Sequence, residues 1–318
     1  RVLCHDVRGA RNEIAFRKGH SIRPDDLPIL LDTPWSELHL LDLEPGDLGQ
    51  REAGQRLATA LSRDGLQASP SGHRHVLKAK HNGLLKIDVA ALQRLNSIPG
   101  IAVFTLHNDH VVATGQVAAE AQITPLAIES KRIEEAEQIA RDRGPIHVTP
   151  FKPRDVIVWM RDDRLLRSVN DKLRWFGCNV REVVELARDA ESIRLAMQSR
   201  ADSGATLFVV SGSNALDPLE PVFTALEQIG AKMQRSGMPV HPGTLLWLAS
   251  WRDITIIGLP SCGLGTQITA FDLVLPKVLA EGGISDEEIT ALGHGGMLTF
   301  TRQRMRTIVV EQVDEPVR

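Results

Sequence analysis

Ala205-Thr-Leu-Phe-Val-Val210 breaks at once into Ser211-Gly212-Ser213-Asn214, and Asp217-Pro218 then lead into a helical pattern. Ile254-Thr-Ile-Ile-Gly258 repeats the arrangement: an apolar run breaks into Leu259-Pro260-Ser261-Cys262-Gly263, and a helical pattern follows again. Short apolar runs bounded by small residues read as buried strands. Each would end in a loop of small residues and feed a helix. Glycine lets a backbone approach an anion closely, and helix N-termini offer unpaired N–H groups. In an open parallel sheet, ligands sit beyond the carboxyl ends of the strands. Two such loops predict one anion-containing ligand held between them.

The same alternation extends outward. Val156 to Trp159 reads as a strand; Leu165, Leu166, Val169, Leu173 and Phe176 mark a helix closed by Gly177. Asn179 to Val184 reads as a strand, and Asp189 as the cap of a helix with Ile193, Ala196 and Met197. This order predicts an α/β domain over 151–281, with a doubly wound, mostly parallel sheet. Gly144-Pro145 and Pro150-Phe-Lys-Pro153 punctuate its start. Residues 1–150 read as an α+β region, with Ser69-Pro-Ser-Gly72 as a linker and a break near 70. Within it Leu38 to Leu43, Val76 to Lys80, Leu84 to Ile87, Ile101 to Leu106 and Val111 to Val117 are expected strands. The last two would be joined through Asn108-Asp109. Helices are expected behind Asp25 or Asp26, around Leu57, behind Asp88 and behind Ser130. Residues 282–318 form a tail: Ser285-Asp-Glu-Glu288 is a capping box, and Arg302, Arg304 and Arg306 precede the strand-like Ile308-Val-Val310.

Composition excludes several classes. The chain has 318 residues, 42% hydrophobic and 24% charged, so it can bury a sizeable core. A net charge of −3 provides no general basic field for nucleic acid. No apolar run reaches membrane-spanning length, and the first residues carry no signal-peptide pattern. Cys4, Cys178 and Cys262 are too scattered for a disulfide framework or a zinc site, which fits a reducing cytoplasm.

The candidate chemistry lies at the strand ends. Ser211, Gly212, Ser213 and Asn214 surround Asp217 with hydroxyls, an amide and backbone donors; an ordinary turn with Asp217 as helix cap is the plainer reading. Pro260, Ser261, Cys262 and Gly263 make the second loop. Ser261 lacks the glycine two residues upstream that a nucleophile elbow requires. Cys262 is either a reactive thiol or a small buried one. Asp162 and Asp163 follow the first strand of the domain. They are either Mg²⁺ ligands together with Asp217, since hard cations take carboxylate oxygens, or a helix cap.

Longer motifs add a resemblance. Leu3-Cys-His-Asp6, Phe16-Arg-Lys-Gly-His20, Asn82-Gly-Leu-Leu85 and Ile123-Thr-Pro-Leu126 carry it in the N-terminal half. Gly230-Ala-Lys232, Gly237-Met-Pro-Val-His-Pro-Gly243, Gly258-Leu-Pro-Ser-Cys-Gly263, Phe271-Asp-Leu-Val-Leu-Pro276 and Gly293-His-Gly-Gly296 carry it more specifically farther on. From about residue 2 to 298 the chain resembles the molybdopterin-binding proteins related to molybdopterin molybdotransferase. The resemblance implies a molybdenum-cofactor-biosynthesis domain at about 151–281 that binds the pterin phosphate, and a homo-oligomer such as a dimer. It implies either Mg²⁺-assisted molybdate insertion, with Asp162, Asp163 and Asp217 as metal ligands, or a silent carrier of molybdopterin, free or adenylylated, to a molybdenum hydroxylase.

Three departures separate the chain from that family. Met160-Arg-Asp-Asp163 stands where Thr-Gly and an acid are usual. Ser211-Gly212 replaces a Gly-Gly start. No lysine flanks the Pro242-Gly243 turn, leaving His241, Arg161 and Lys232 as the nearest cationic substitutes.

Overall fold

The computed structural model describes residues 1–161, 166–213, 215–260 and 268–298. It divides into two units, Arg1–Pro150 and Phe151–Arg318, and both mix helices with sheets.

In the first unit every strand pairing is antiparallel. A four-stranded sheet runs Leu66–Ser71, Arg74–Ala79, Val117–Ile123, Ile101–Thr105, and a three-stranded one runs His110–Val112, Gly83–Ile87, Ile146–Pro150. Gln50–Leu61, Val89–Asn96 and Ser130–Arg143 are the main helices. Ala53, Leu57 and Leu61 form the buried stripe of the first, as their spacing predicts. The Asp88 carboxylate accepts the Ala91 N–H, as a helix cap should.

Three expectations in this unit are corrected. Ser69 to Ser71 is not a linker: Ser69, Pro70 and Ser71 pair with Val76, His75 and Arg74, and the core draws on residues from both sides of position 70. Pro70 is tolerated because its strand is the outer one of the sheet, so its missing N–H interrupts no ladder. Val111 to Val117 is not one strand: the turn at Ala113 to Gln116 splits it into two pieces that join different sheets. Leu38 to Leu43 shrinks to a strand at Leu40–Leu41.

The second unit is built on six strands in the order Asn179–Glu185, Asp155–Met160, Leu207–Ser211, Ile254–Leu259, Trp247–Trp251, Lys232–Ser236. The first four are mutually parallel; the last two are antiparallel to their neighbours. The sheet is therefore mixed, and the antiparallel pair is a feature the motif reading did not contain. Side-chain alternation divides the core in two. Val156, Val158, Leu207, Val209, Ile257 and Leu259 pack with the helices Leu166–Trp175 and Ala270–Glu281. Ile157, Trp159, Phe208, Val210, Trp247 and Ile256 pack with Ala190–Asp202 and Pro221–Gln228. A strand buried on both faces has to be apolar throughout, and Leu207–Ser211 is buried at every position. The Ser285 capping box forms as expected, with Glu288 closing it. Arg302, Arg304, Arg306 and Ile308 to Val310 lie outside the described residues. Among the described residues, no helix is long and apolar enough to cross a membrane.

Candidate ligand site at the carboxyl edge of the sheet

Register brings the starts of the two loops to one edge. Ser211 lies beside Met160 on one side and Leu259 on the other, so three neighbouring parallel strands end at one level. Arg161, Gly212 and Pro260 are the next residues of those three strands, all at the carboxyl edge. Asn214, Ser261, Cys262, Gly263, Asp162 and Asp163 lie outside the described residues. Ser211, Gly212, Ser213 and Pro260 are thus the part of the expected cradle whose geometry is on view.

Gly212 has φ of +90°, a conformation that disfavours any side chain. A Cβ there would also lie 2.9 Å from Arg161 Cβ. Ser211 and Ser213 are both buried. The Trp247 indole N–H donates to Ser213 Oγ at 3.3 Å, anchoring the loop to the sheet beneath it. Trp247 is itself fully buried and lies opposite Gly258 in the antiparallel pair. Its indole occupies the space above that glycine, where a Cβ would come within 1.8 Å of Trp247 Cε2. The glycine in Gly258-Leu-Pro-Ser-Cys-Gly263 thus has a packing cause: it makes room for the ring that holds the other loop.

Arg161 crosses the loop. Its Nη1 donates to the Gly212 carbonyl at 3.1 Å and its Nη2 to Glu220 Oε1 at 2.5 Å. Glu220 is buried and immediately precedes Pro221, the first residue of the helix. Sequence reasoning named Arg161 only as a stray cation and passed over Glu220 and Trp247. The signal for Glu220 was its place before a proline at a helix start.

Several expected roles change. Asp217 does not cap the helix: its Oδ1 accepts the Leu219 N–H at 2.9 Å, while Glu220 is the residue at the cap position. Asp217 is exposed. The start of each helix limits the donors it can offer an anion. The first begins with Pro221, which has no N–H. The second begins at Ala270, where the amides of Ala270, Phe271 and Asp272 donate to Pro242 O, Thr269 Oγ1 and Thr269 O. Lys232 is removed from consideration by register: it pairs with Ser250, which pairs with Thr255, which lies beside Leu207. That row is the amino edge of the parallel strands, the far side of the sheet.

The Pro242-Gly243 turn does reach the carboxyl edge. Ser236 and Trp247, which bracket it, lie level with Gly258. The turn packs against the start of the Ala270 helix so closely that a Cβ on Gly243 would meet Ala270 Cβ at 2.6 Å. His241 is exposed there and exchanges backbone hydrogen bonds with Gly296 and Leu298. Among the described residues, no group of three or more His, Cys, Asp or Glu side chains is placed to hold a metal ion. Of the three expected carboxylates, only Asp217 is among them.

No family model matches the sequence, and no curated protein matches it. Solved structures similar to the chain include a molybdopterin biosynthesis MoeA protein from Pyrococcus horikosii. It is 13% identical, with 74% of this chain and 79% of that chain covered, at a TM-score of 0.32. A molybdenum cofactor biosynthesis protein from Pyrococcus furiosus is 14% identical over 75% of this chain and 73% of that one, at a TM-score of 0.27. A CinA protein of unknown function from Thermoplasma acidophilum is 14% identical over 45% of this chain and 95% of its own, at 0.28.

Proposed function

We propose that the second unit is a doubly wound domain of the molybdenum-cofactor-biosynthesis type, and that it binds molybdopterin, free or adenylylated, at the carboxyl edge of its sheet. The observation that carries this is the pairing of Ser211 with Leu259. It brings Gly212 and Pro260 to the same edge, with a positive-φ glycine and two buried serines in the Ser211–Ser213 segment. That is where an open α/β sheet binds ligands, and the sequence motifs named above point to the same pterin phosphate. Ser211, Gly212, Ser213 and Pro260 bind the ligand, joined by Asn214, Ser261, Cys262 and Gly263. Gly212→Asp tests the reading, because any side chain there is strained at positive φ and meets the Arg161 stem, which displaces the loop the anion approaches. Equilibrium dialysis with anaerobically prepared molybdopterin should lose binding in a variant that stays folded. Unchanged affinity would remove the loop from the site.

Within this reading, carriage to a molybdenum hydroxylase is favoured over metal insertion by the fate of the cations. Bringing molybdate to a phosphate ester requires fixed positive charge aimed at the reacting centre. Lys232 is on the far edge, and Arg161 is already bonded to Glu220. Insertion would rest on Asp217 with Asp162 and Asp163 holding Mg²⁺, which supplies positive charge between the two anions. Single-turnover assays with molybdate, Mg²⁺ and adenylylated molybdopterin separate the two. The carrier reading expects slow conversion; rapid conversion that Asp217→Asn abolishes would establish insertion instead.

A further inference from the structure

We propose that Arg161 and Glu220 act as a positioning clamp for the Ser211–Ser213 loop rather than as a counter-charge for the ligand, an inference that rests on the loop being the ligand site. One guanidinium joins three segments: the strand end it grows from, the Gly212 carbonyl, and the acid that precedes Pro221. The Glu220 side chain is only 7% exposed, and that of Arg161 30%. A buried carboxylate needs a partner, so the pair is fixed on both sides. The planar fork of arginine fits two acceptors held in set directions, which an ammonium does not. Gly212 completes the arrangement, because its backbone rests against the Arg161 stem with no space for a Cβ. The other anchors of the loop's described residues, through Ser213 and Asp217, carry no charge pair. The loop has left the sheet ladder after Ser211, its neighbour Ser213 is held by a neutral indole bond, and Asp217 is occupied with a local turn. Fixing the Gly212 carbonyl fixes the peptide plane that precedes Ser213, and so the direction in which its N–H points.

This assignment makes an unusual demand on charge. Were Arg161 a counter-charge for the anion, neutralising Glu220 would release it and strengthen binding. As a clamp, the pair is neutral toward the ligand and both halves are needed. Glu220→Gln should therefore weaken binding, although it removes a negative charge beside an anion site.

The experiment is equilibrium binding of anaerobically prepared molybdopterin to the full chain, comparing wild type, Arg161→Gln, Arg161→Lys, Glu220→Gln and Gly212→Asp. Amide hydrogen exchange at 211–217 is measured in each. Both Arg161→Gln and Glu220→Gln should weaken binding about ten-fold or more, the scale of one charge-assisted hydrogen bond. The double variant should be little worse than either single one. Arg161→Lys should bind like Arg161→Gln, and exchange at 211–217 should quicken in all three while the sheet amides stay protected. Tighter binding in Glu220→Gln, or full binding in Arg161→Lys with unchanged exchange, would overturn the clamp. Wild-type affinity in Arg161→Gln alongside loss in Gly212→Asp would overturn the clamp but keep the loop site. Equal binding by wild type and Gly212→Asp would defeat both. Should Glu220→Gln fail to fold, the Arg161→Lys comparison still decides.

Discussion

Gly258→Ala should be among the most damaging single-methyl additions in the second unit. The new Cβ would lie 1.8, 2.1 and 2.2 Å from Trp247 Cε2, Nε1 and Cδ2, where carbon atoms ordinarily stand no closer than van der Waals contact. The ring has nowhere to go, since it is fully buried and packed edge-on against Phe223 at 5.3 Å between centroids. Overpacking of a core costs about 1–3 kcal/mol. Displacing the indole also strands its N–H from Ser213, at about 1 kcal/mol more. The expected loss is about 3 kcal/mol, read by urea unfolding followed through the sheet. Trp247→Leu alone should cost a similar amount by leaving a cavity. The double variant should cost less than the sum by about 2 kcal/mol, because the clash disappears with the ring. A Gly258→Ala variant within 1 kcal/mol of wild type, or strict additivity in the double, would refute the claim that this glycine exists to seat Trp247.

Three further expectations follow from charge and core. The Glu288 carboxyl sits at about 2 against an ordinary 4.5: burial would raise it, but hydrogen bonds from Lys277 and Ser285 together with the Lys277 charge outweigh that. Its folded-state value is depressed, so the stabilisation is complete above pH 4.5 and is lost as pH falls toward 2. With the side chain about one-third exposed, about 2 kcal/mol is at stake, and Lys277→Met should reduce that acid dependence to the part the Ser285 hydrogen bonds supply. His75 is held below its ordinary 6.5 by burial and then by Arg51, and the added proton would meet an unpartnered Nδ1 against Gly54. Stability should drop as pH falls below 6.5, and a His75→Leu variant titrated the same way should lack that slope. The two units carry separate apolar cores, so calorimetry of the full chain should resolve two transitions, with 151–298 expressed alone reproducing one; a single transition would count against this.

Much of the second unit is written in local pattern. The apolar runs at Val156, Leu207 and Ile254 became strands, and Asp189 and Ser285 became caps with their hydrogen bonds in place. What escaped the pattern is the antiparallel pair. Lys232–Ser236 is an edge strand with mostly exposed polar side chains, so it shows no buried alternation. Trp247–Trp251 turns directly into Ile254–Leu259 through Arg252 and Asp253, without the Asn-Gly signal of a tight hairpin. Arg252 takes φ of +52° there, and it is held by a 2.8 Å bond to Asp202 and by stacking 4.4 Å over Trp251. Asp202 is distant in sequence, so no local reading supplies it. The same holds for the site: Gly212 was legible as a turn glycine, whereas its contacts with Arg161 come from strand register.

The most direct test of the ligand assignment is a crystal structure of the full chain with molybdopterin bound under anaerobic conditions. The account predicts the phosphate at the carboxyl edge, within hydrogen-bond reach of backbone N–H groups in the Ser211–Ser213 loop and beside Pro260. A pterin seated in the Arg1–Pro150 unit, or at the amino edge near Lys232, would contradict it.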